Sequence, residues 1–403
     1  MSFKSLYKEY VMNNINKFNE IYNNRINSPA TVKFDFDING NQAFFVYDTN
    51  IMKYVSAIDE LNIKIDEIYK SLPEIAKEQY IRNLLIDEIK FTNEIEGVVS
   101  TRKDINDLIN EIESKTKTKN RFEGIVKKYL LLINYDISLD TPENIRELYD
   151  EMLYNEIKEE DGKNLPDGTI FRKDRVHVYK SGTKIVHDGI MPEQKIIEYM
   201  KKALAILNNE EILVLIRVAI FHYLFGYIHP FYDGNGRINR LISSYVLSKY
   251  FNDTLSFRLS ITIKENLTQY LEAFDHTNDS RNKGDISTFI YEFLDIVYKS
   301  CQKTQLYGLE SLYSFEKYEK ILETITDLEK NEKEALNILI QSSIFGDFGL
   351  TRTYISDKIG KAKTKTIEIL KKLKDRNLCI ETNSKRHIYY KANLEELDKY
   401  EIN

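Results

Sequence analysis

His229-Pro230-Phe231-Tyr232-Asp233-Gly234-Asn235-Gly236-Arg237-Ile238-Asn239-Arg240 is the stretch on which the reading of this chain turns. It gathers an imidazole, a carboxylate, two glycines and two arginines into one loop and the start of a helix. Upstream, Glu211 to Ile228 reads EILVLIRVAIFHYLFGYI, nearly all apolar and free of proline, which predicts a helix buried on every side. The His229-Pro230 step ends that helix, because proline disfavours helical geometry in the residue before it. A second apolar-periodic segment, Arg237 to Tyr250, predicts another helix, so the motif joins two buried helices.

Within the loop, Asp233-Gly234-Asn235-Gly236 contains the residue types that accept positive φ. Backbone N–H groups in such a turn converge into an anion nest, and the N-terminus of the following helix adds its own N–H groups and dipole. Arg237 and Arg240 stand three apart on that helix and can fork onto phosphate oxygens. Asp233 is the loop's one carboxylate and suits magnesium, which takes one or two carboxylates plus substrate phosphates. His229 can take a proton near neutral pH. The inventory is one for holding a nucleotide's phosphates beside a general base.

The stretch matches HPFxDGNGRxxR at every fixed position and resembles the signature of the Fic family. The resemblance implies a mainly helical core with a β-hairpin flap, and transfer of AMP from ATP to a Ser, Thr or Tyr hydroxyl of a protein, the chain itself included. By the same resemblance His229 deprotonates the target hydroxyl and Asp233 holds Mg2+. Gly234, Asn235 and Gly236 cradle the α- and β-phosphates, Arg237 and Arg240 secure the phosphate tail, and Phe231 anchors the loop. Attack is in line at the α-phosphate with pyrophosphate leaving, a reaction in which positioning and charge neutralisation do most of the catalysis. Phosphorylation or transfer of another nucleotide is the nearest alternative. The kinase-like branch usually has lysine where Gly236 stands, so glycine argues against it. An alternative of another kind is a DNA-binding regulator whose core only senses nucleotide.

Upstream, Thr92-Asn93-Glu94-Ile95-Glu96-Gly97 ends a helical stretch from Lys77 to Glu96 and looks like the [ST]xxxE[GN] inhibitory element of Fic proteins. The resemblance pairs Glu96 with Arg240 in the γ-phosphate position, with Thr92 steadying the glutamate and Glu94 as a competitor for the role. Taken alone, Glu-Gly after a helix is a common helix stop.

Between Asp161 and Pro192, glycines punctuate alternating segments: Arg175-Val176-His177-Val178-Tyr179 and Lys184-Ile185-Val186-His187. These predict a hairpin with its turn near Ser181-Gly182. In the Fic family the matching hairpin is a flap that aligns the target by strand addition. Val176, His177, Val178, Val186 and His187 are the flap residues here, and the two histidines read as ordinary strand residues without metal partners. Gly168 with Phe171-Arg172 approximates the family's Gly-x-[YF]-R. Tyr270, in Tyr-Leu-Glu-Ala, is the candidate for stacking near adenine, and equally a core tyrosine.

The chain has 403 residues, 30% charged and 42% hydrophobic, with a formal net charge of −6, which places it among globular proteins of two or three domains. No apolar run reaches transmembrane length. Met1–Asn14 lacks a signal-peptide core, and Cys301 and Cys379 are far apart without metal spacing. A cytoplasmic setting without a disulfide framework is expected. Residues 1–100 read as an N-terminal helical region with the inhibitory helix; within it, residues 31–47 alternate around an Asn39-Gly40 turn. Residues 101–303 read as the core, 304–334 as a helical connector and 335–403 as a winged helix, the order being three helices and a hairpin. From Lys361 to Lys391 ten Lys or Arg stand against three acids, which suggests a DNA face. The same unit can equally serve protein contacts or a homodimer.

Overall fold

The computed structural model describes residues 3–115, 120–132, 136–180, 184–251, 257–383 and 388–400. It is mainly helical with small antiparallel sheets. Contacts divide the chain into two units, Met1–Asn62 with Asp87–Gln302, and Ile63–Ile86 with Lys303–Asn403. Residues 63–86 thus group with the C-terminal unit, which no division into consecutive stretches can express.

The first unit opens with α1 (Leu6–Met12) and α2 (Ile15–Ile26), each with a side-chain cap, Ser5 and Asn14. The hairpin β1 (Thr31–Ile38) and β2 (Asn41–Val46) follows, with Asn39 at φ 51° and Gly40 at φ 78°. Two positive φ values in a two-residue turn match the right-handed twist of the strands, the reason Asn-Gly is favoured there. Phe44 of β2 exchanges backbone hydrogen bonds with Gly284 and Ile286, tying this hairpin to the end of the core. Then come α3 (Thr49–Ser71) and α4 (Glu74–Ile95), whose residues 63–86 group with the second unit, followed by α5 (Arg102–Glu113), α6 (Glu123–Leu132) and α7 (Pro142–Asp161). The start of α7 is set by a Thr141/Asn144 capping box with proline in the first turn. The strands β3 (His177–Lys180) and β4 (Lys184–Asp188) form the second hairpin, whose Ser181-Gly182 turn lies outside the described residues.

The centre of this unit is α9 (Val214–Ile228), packed between α8 (Glu193–Leu207) and α10 (Asn235–Tyr250). All but three side chains of α9 are buried, as its uninterrupted apolar sequence requires. The helix α10 begins two residues before the Arg237 expected from periodicity. Gly234, at φ 83°, turns the chain straight into it, and a Cβ there would lie 2.5 Å from Leu153 Cδ1. Asn235 and Gly236 therefore occupy the first helical turn, where N–H groups lack intrahelical acceptors. The unit closes with α11 (Leu259–Glu265), α12 (Leu267–Asn278) and the first part of α13 (Ser287–Thr324). No separate connector helix starts near Leu306: α13 runs unbroken for 38 residues, because no proline interrupts it.

In the second unit, α14 (Lys330–Phe345), the short strand β5 (Leu350–Thr351), α15 (Arg352–Lys358) and α16 (Lys363–Asp375) precede β6 (Cys379–Asn383) and β7 (Ile388–Ala392). The sheet order is β5-β7-β6, so this is a small α+β fold. Its basic excess is partly spent internally. Lys372 pairs with Glu329 and Glu332, Lys374 with Glu381, and Arg376 with Asp327. Lys385 and Arg386, within the basic stretch from Lys361 to Lys391, lie outside the described residues.

Candidate active site

The loop from His229 to Gly234 is held from inside. Phe231 is fully buried, stacked on Tyr149 at 4.0 Å and edge-on to Phe171 at 5.4 Å. Asn235 staples the loop to α10, its Oδ1 accepting from Phe231 N (3.0 Å) and its Nδ2 donating to Phe231 O (2.8 Å). Its amide thus shapes the nest. His229 sits in the left-handed region at φ 52°, as the C-cap of α9. A non-glycine residue there carries strain of order ~1–3 kcal/mol, which persists only where the surroundings over-determine it.

A cavity of about 320 Å³ opens beside this loop, within the size range of ligand sites, ~300–1,000 Å³. It is lined by Glu96 after the end of α4, Val178 and His187 of the hairpin, Gly226 of α9, His229, and Asn235, Gly236, Asn239 and Arg240 of α10. Its remaining wall is α12, with Leu267, Tyr270, Leu271 and Phe274. The Phe274 ring covers Gly226, where a Cβ would meet Phe274 Cε1 at 2.7 Å. Residues far apart in the chain thus form one apolar slot beside a cationic helix start.

Arg240 is 1% exposed and faces three acceptors on or just beyond α4. Its Nε donates to Thr92 Oγ1 (2.8 Å), and its Nη2 donates to Thr92 O (3.0 Å) and to Glu96 Oε1 (2.6 Å). Thr92 therefore holds the arginine rather than the glutamate, a correction to the expected role. A Cβ on Gly236 would stand 2.0 Å from Glu96 Oε1, so the carboxylate rests on the first turn of α10. Burial acts to raise the Glu96 pKa, but the charge of Arg240 and its hydrogen bond override it and hold the carboxyl below its ordinary value. Glu94 turns away to Lys90 and Lys264. A third acid on α4, Glu88, is fully buried. It accepts from Ser260 N (2.8 Å) and Ser260 Oγ (2.6 Å), and burial pushes its pKa up to about 7.

Arg237 does not share that environment. Its guanidinium is completely buried, donating to Glu156 Oε1 at 2.6 Å and to Asp233 Oδ1 at 3.5 Å, and it is not among the residues lining the cavity. Sequence reasoning missed Glu156, which lies 81 residues away on a charged helix where no local pattern marks it. Burial raises the Glu156 pKa against the pull of Arg237. Removing one partner of a buried ion pair leaves an uncompensated charge. Glu156→Ala is accordingly expected to cost ~3–5 kcal/mol of unfolding free energy in urea titrations. A loss under about 1 kcal/mol, the range of exposed pairs, would mean that Asp233 suffices to hold Arg237.

Asp233 keeps 37% of its side chain exposed and accepts from Gly234 N. Among the described residues no group of three His, Cys, Asp or Glu forms a cage for a metal. A single accessible carboxylate beside a phosphate site nevertheless fits magnesium, which completes its shell with phosphates and water. Tyr270 lines the cavity but is buried, with its hydroxyl 2.7 Å from His222 Nε2. The Ser243 hydroxyl donates to Asn239 O, so His222 Nδ1 must donate to Ser243 and Nε2 accept from Tyr270. Burial, reinforced by Arg240, lowers the His222 pKa to about 3.

The hairpin stands beside His229. Pairs His177↔Asp188 and Val178↔His187 are followed by Tyr179↔Ile185, so Val186 is the residue skipped at a bulge. Among the described residues neither strand pairs with a third. His187 Nε2 lies 2.6 Å from Tyr227 O, and His177 Nδ1 lies 2.6 Å from Asp188 Oδ1. Val176 accepts from Gly189 N at the hairpin's foot. The His229 pKa is lowered to about 4, by burial first and then by the charges of His187 and Arg172. Its imidazole is therefore neutral at neutral pH.

His229, in the left-handed region, and the N-terminus of α10 thus open into one cavity of a helical unit. Residues 138–247 match the family described as Fic/DOC. It is 28% identical over 183 residues to a protein of Aquifex aeolicus (strain VF5) named "Probable protein adenylyltransferase", over 44% of this chain and 52% of that one. The chain thus spans about half the length of that curated relative. The crystal structure of a Fic family protein from Desulfovibrio desulfuricans G20 superposes with a TM-score of 0.51 at 16% identity, covering 87% of this chain and 97% of the other. That likeness speaks to the fold. No helix among the described residues is long and apolar enough to cross a membrane.

Proposed function

We propose that this protein transfers AMP from ATP to a hydroxyl of a protein, and that Glu96 holds the activity in check. The observation that carries the reading is the cavity itself, where His229, the start of α10, Arg240 and an apolar slot meet beside a hairpin that no third strand joins among the described residues. The slot takes the base, the N–H groups at Asn235 and Gly236 take phosphate oxygens, and Arg240 takes the end of the phosphate tail. Arg237 acts from beneath, holding Asp233. A target segment adds to the hairpin edge and brings a Ser, Thr or Tyr hydroxyl to His229. The neutral imidazole accepts the hydroxyl proton. The hydroxyl oxygen then forms a bond to the α-phosphorus as the bond to the β-phosphate oxygen breaks, and pyrophosphate leaves. Magnesium, held by Asp233, would neutralise phosphate charge.

The nucleotide-sensing, DNA-binding alternative has weaker support, because ion pairs within the C-terminal unit neutralise Lys372, Lys374 and Arg376. The test uses purified full-length protein given ATP labelled at the α- or the γ-phosphate. The α-label is expected in protein, with pyrophosphate released in equal amount. Incorporation of γ-label would make the protein a kinase, and incorporation of neither, with Glu96 removed, would overturn transfer altogether.

A further inference from the structure

The side chain of Arg172 is fully buried, and among the described residues its guanidinium meets no carboxylate. It spends its donors on three backbone carbonyls: Nε on His229 O (2.9 Å), Nη1 on Asp174 O (2.6 Å) and Nη2 on Ile190 O (2.8 Å). Its own N–H donates to Pro230 O at 3.3 Å. Asp174 stands just before β3 and Ile190 just after β4, so these carbonyls belong to the two feet of the hairpin and to the catalytic loop. The adjoining residue must be glycine, since a Cβ on Gly189 would lie 2.3 Å from Arg172 Nη2 and 3.2 Å from His229 Cβ. The same foot is sewn to α9 by Ile190 N donating to Ile228 O.

A buried cation without an anionic partner is costly, and burial lowers the pKa of this guanidinium to about 10. Three carbonyl dipoles, with Tyr232 adding to them, compensate it, which ties the cost to their arrangement. The planar fork fixes three directions at once, something the point charge of an ammonium cannot do. One of the three carbonyls belongs to His229, whose left-handed backbone needs just such over-determination.

We propose that Arg172 is a positioning residue for the transfer reaction, a clamp that sets the feet of the hairpin and the backbone of His229 in one rigid frame, so that an acceptor strand laid on the hairpin presents its hydroxyl to the imidazole. The assignment rests on the transfer reading above and adds to it how acceptor and base share a register. Arg172 touches neither nucleotide nor acceptor in this scheme, so its loss falls on turnover and on the acceptor, and spares ATP.

The experiment places Arg172→Lys and Arg172→Gln in the full-length Glu96→Gly chain. ATP affinity, transfer to a peptide acceptor and amide hydrogen exchange at Gly189 and Ile190 are measured for each. Both variants are expected to bind ATP as the parent does, to raise the acceptor KM, and to transfer about 100-fold more slowly, the usual consequence of a misplacement near 1 Å. Exchange should quicken at the hairpin feet and stay unchanged in α12. Lysine keeps the charge, so an equal defect in both variants assigns the role to the fork. Parental turnover in Arg172→Lys overturns the proposal. ATP affinity falling in step with turnover overturns it too, since that marks a general structural role. If the parent transfers nothing, the exchange data still decide: unchanged rates at Gly189 and Ile190 in Arg172→Lys refute the clamp, and local acceleration supports it.

Discussion

Glu96→Gly is expected to raise incorporation of α-phosphate label into protein by roughly ten- to a hundredfold, the equivalent of a charge-assisted hydrogen bond of ~1.5–3 kcal/mol. The gain comes from vacating an occupied site. In the proposed scheme Glu96 lines the cavity as a competitor for Arg240 and takes no part in the chemistry. Its carboxylate sits on Gly236 at the start of α10 and bonds Arg240 Nη2 at 2.6 Å, where the end of a phosphate tail belongs. Removing it does not orphan the arginine, which retains Thr92 Oγ1 and Thr92 O. Arg240→Ala should not mimic the gain, because the same guanidinium is needed for phosphate. Glu94→Gly serves as the control and should change little, its carboxylate being paired with Lys90 and Lys264. Mild acid is not expected to substitute for the mutation. A carboxyl whose pKa is lowered stays ionised at neutral pH and releases Arg240 only as pH falls through that lowered value. Equal labelling and equal ATP affinity with and without Glu96 would reduce Thr92–Gly97 to a helix end.

His229→Ala should lower transfer by about 10²–10⁴, the usual worth of a positioned general base, while ATP still binds. In the proposed scheme the nucleotide is held by α10 and α12, whereas the imidazole serves the acceptor. The pH dependence carries a second check. Burial, with His187 and Arg172 adding to it, brings the His229 pKa down to about 4. A base works unprotonated, so the rate is lost as pH falls through that value. In the Glu96→Gly chain kcat/KM should therefore stay level through the range in which an ordinary imidazole protonates and decline only below it. Near-normal labelling by His229→Ala would remove the histidine from the mechanism, and a decline centred on the ordinary imidazole range would show that the site is wetter than its packing implies.

What could be read from the residues was local. The apolar run of α9, the left-handed turn at Gly234, the Asn39-Gly40 hairpin and the helix ending at Thr92–Glu96 follow from φ/ψ preferences and periodicity over a few neighbours, which a linear string records. Boundaries were less exact, since α10 starts at Asn235 and α13 continues past Leu306. The twelve-residue loop was legible as phosphate chemistry because its groups are contiguous, so the fold need only present them. The meeting of Glu96 with Arg240 across 144 residues was reached by resemblance, since no local pattern links residues that far apart.

Tertiary structure decided the partners. Periodicity places Arg237 and Arg240 on one helix face, yet packing sends the first to Glu156 and the second to Thr92 and Glu96. Sequence assigned Arg172 no role beyond an approximate motif, whereas burial against three carbonyls makes it a clamp. It likewise decided that Lys372 and Lys374, though still exposed, pair with Glu329 and Glu381. The physical reason is the same in each case. Backbone conformation is set mainly by near neighbours, whereas the state of a buried charge depends on which distant groups close packing brings within about 3 Å, the reach of a hydrogen bond.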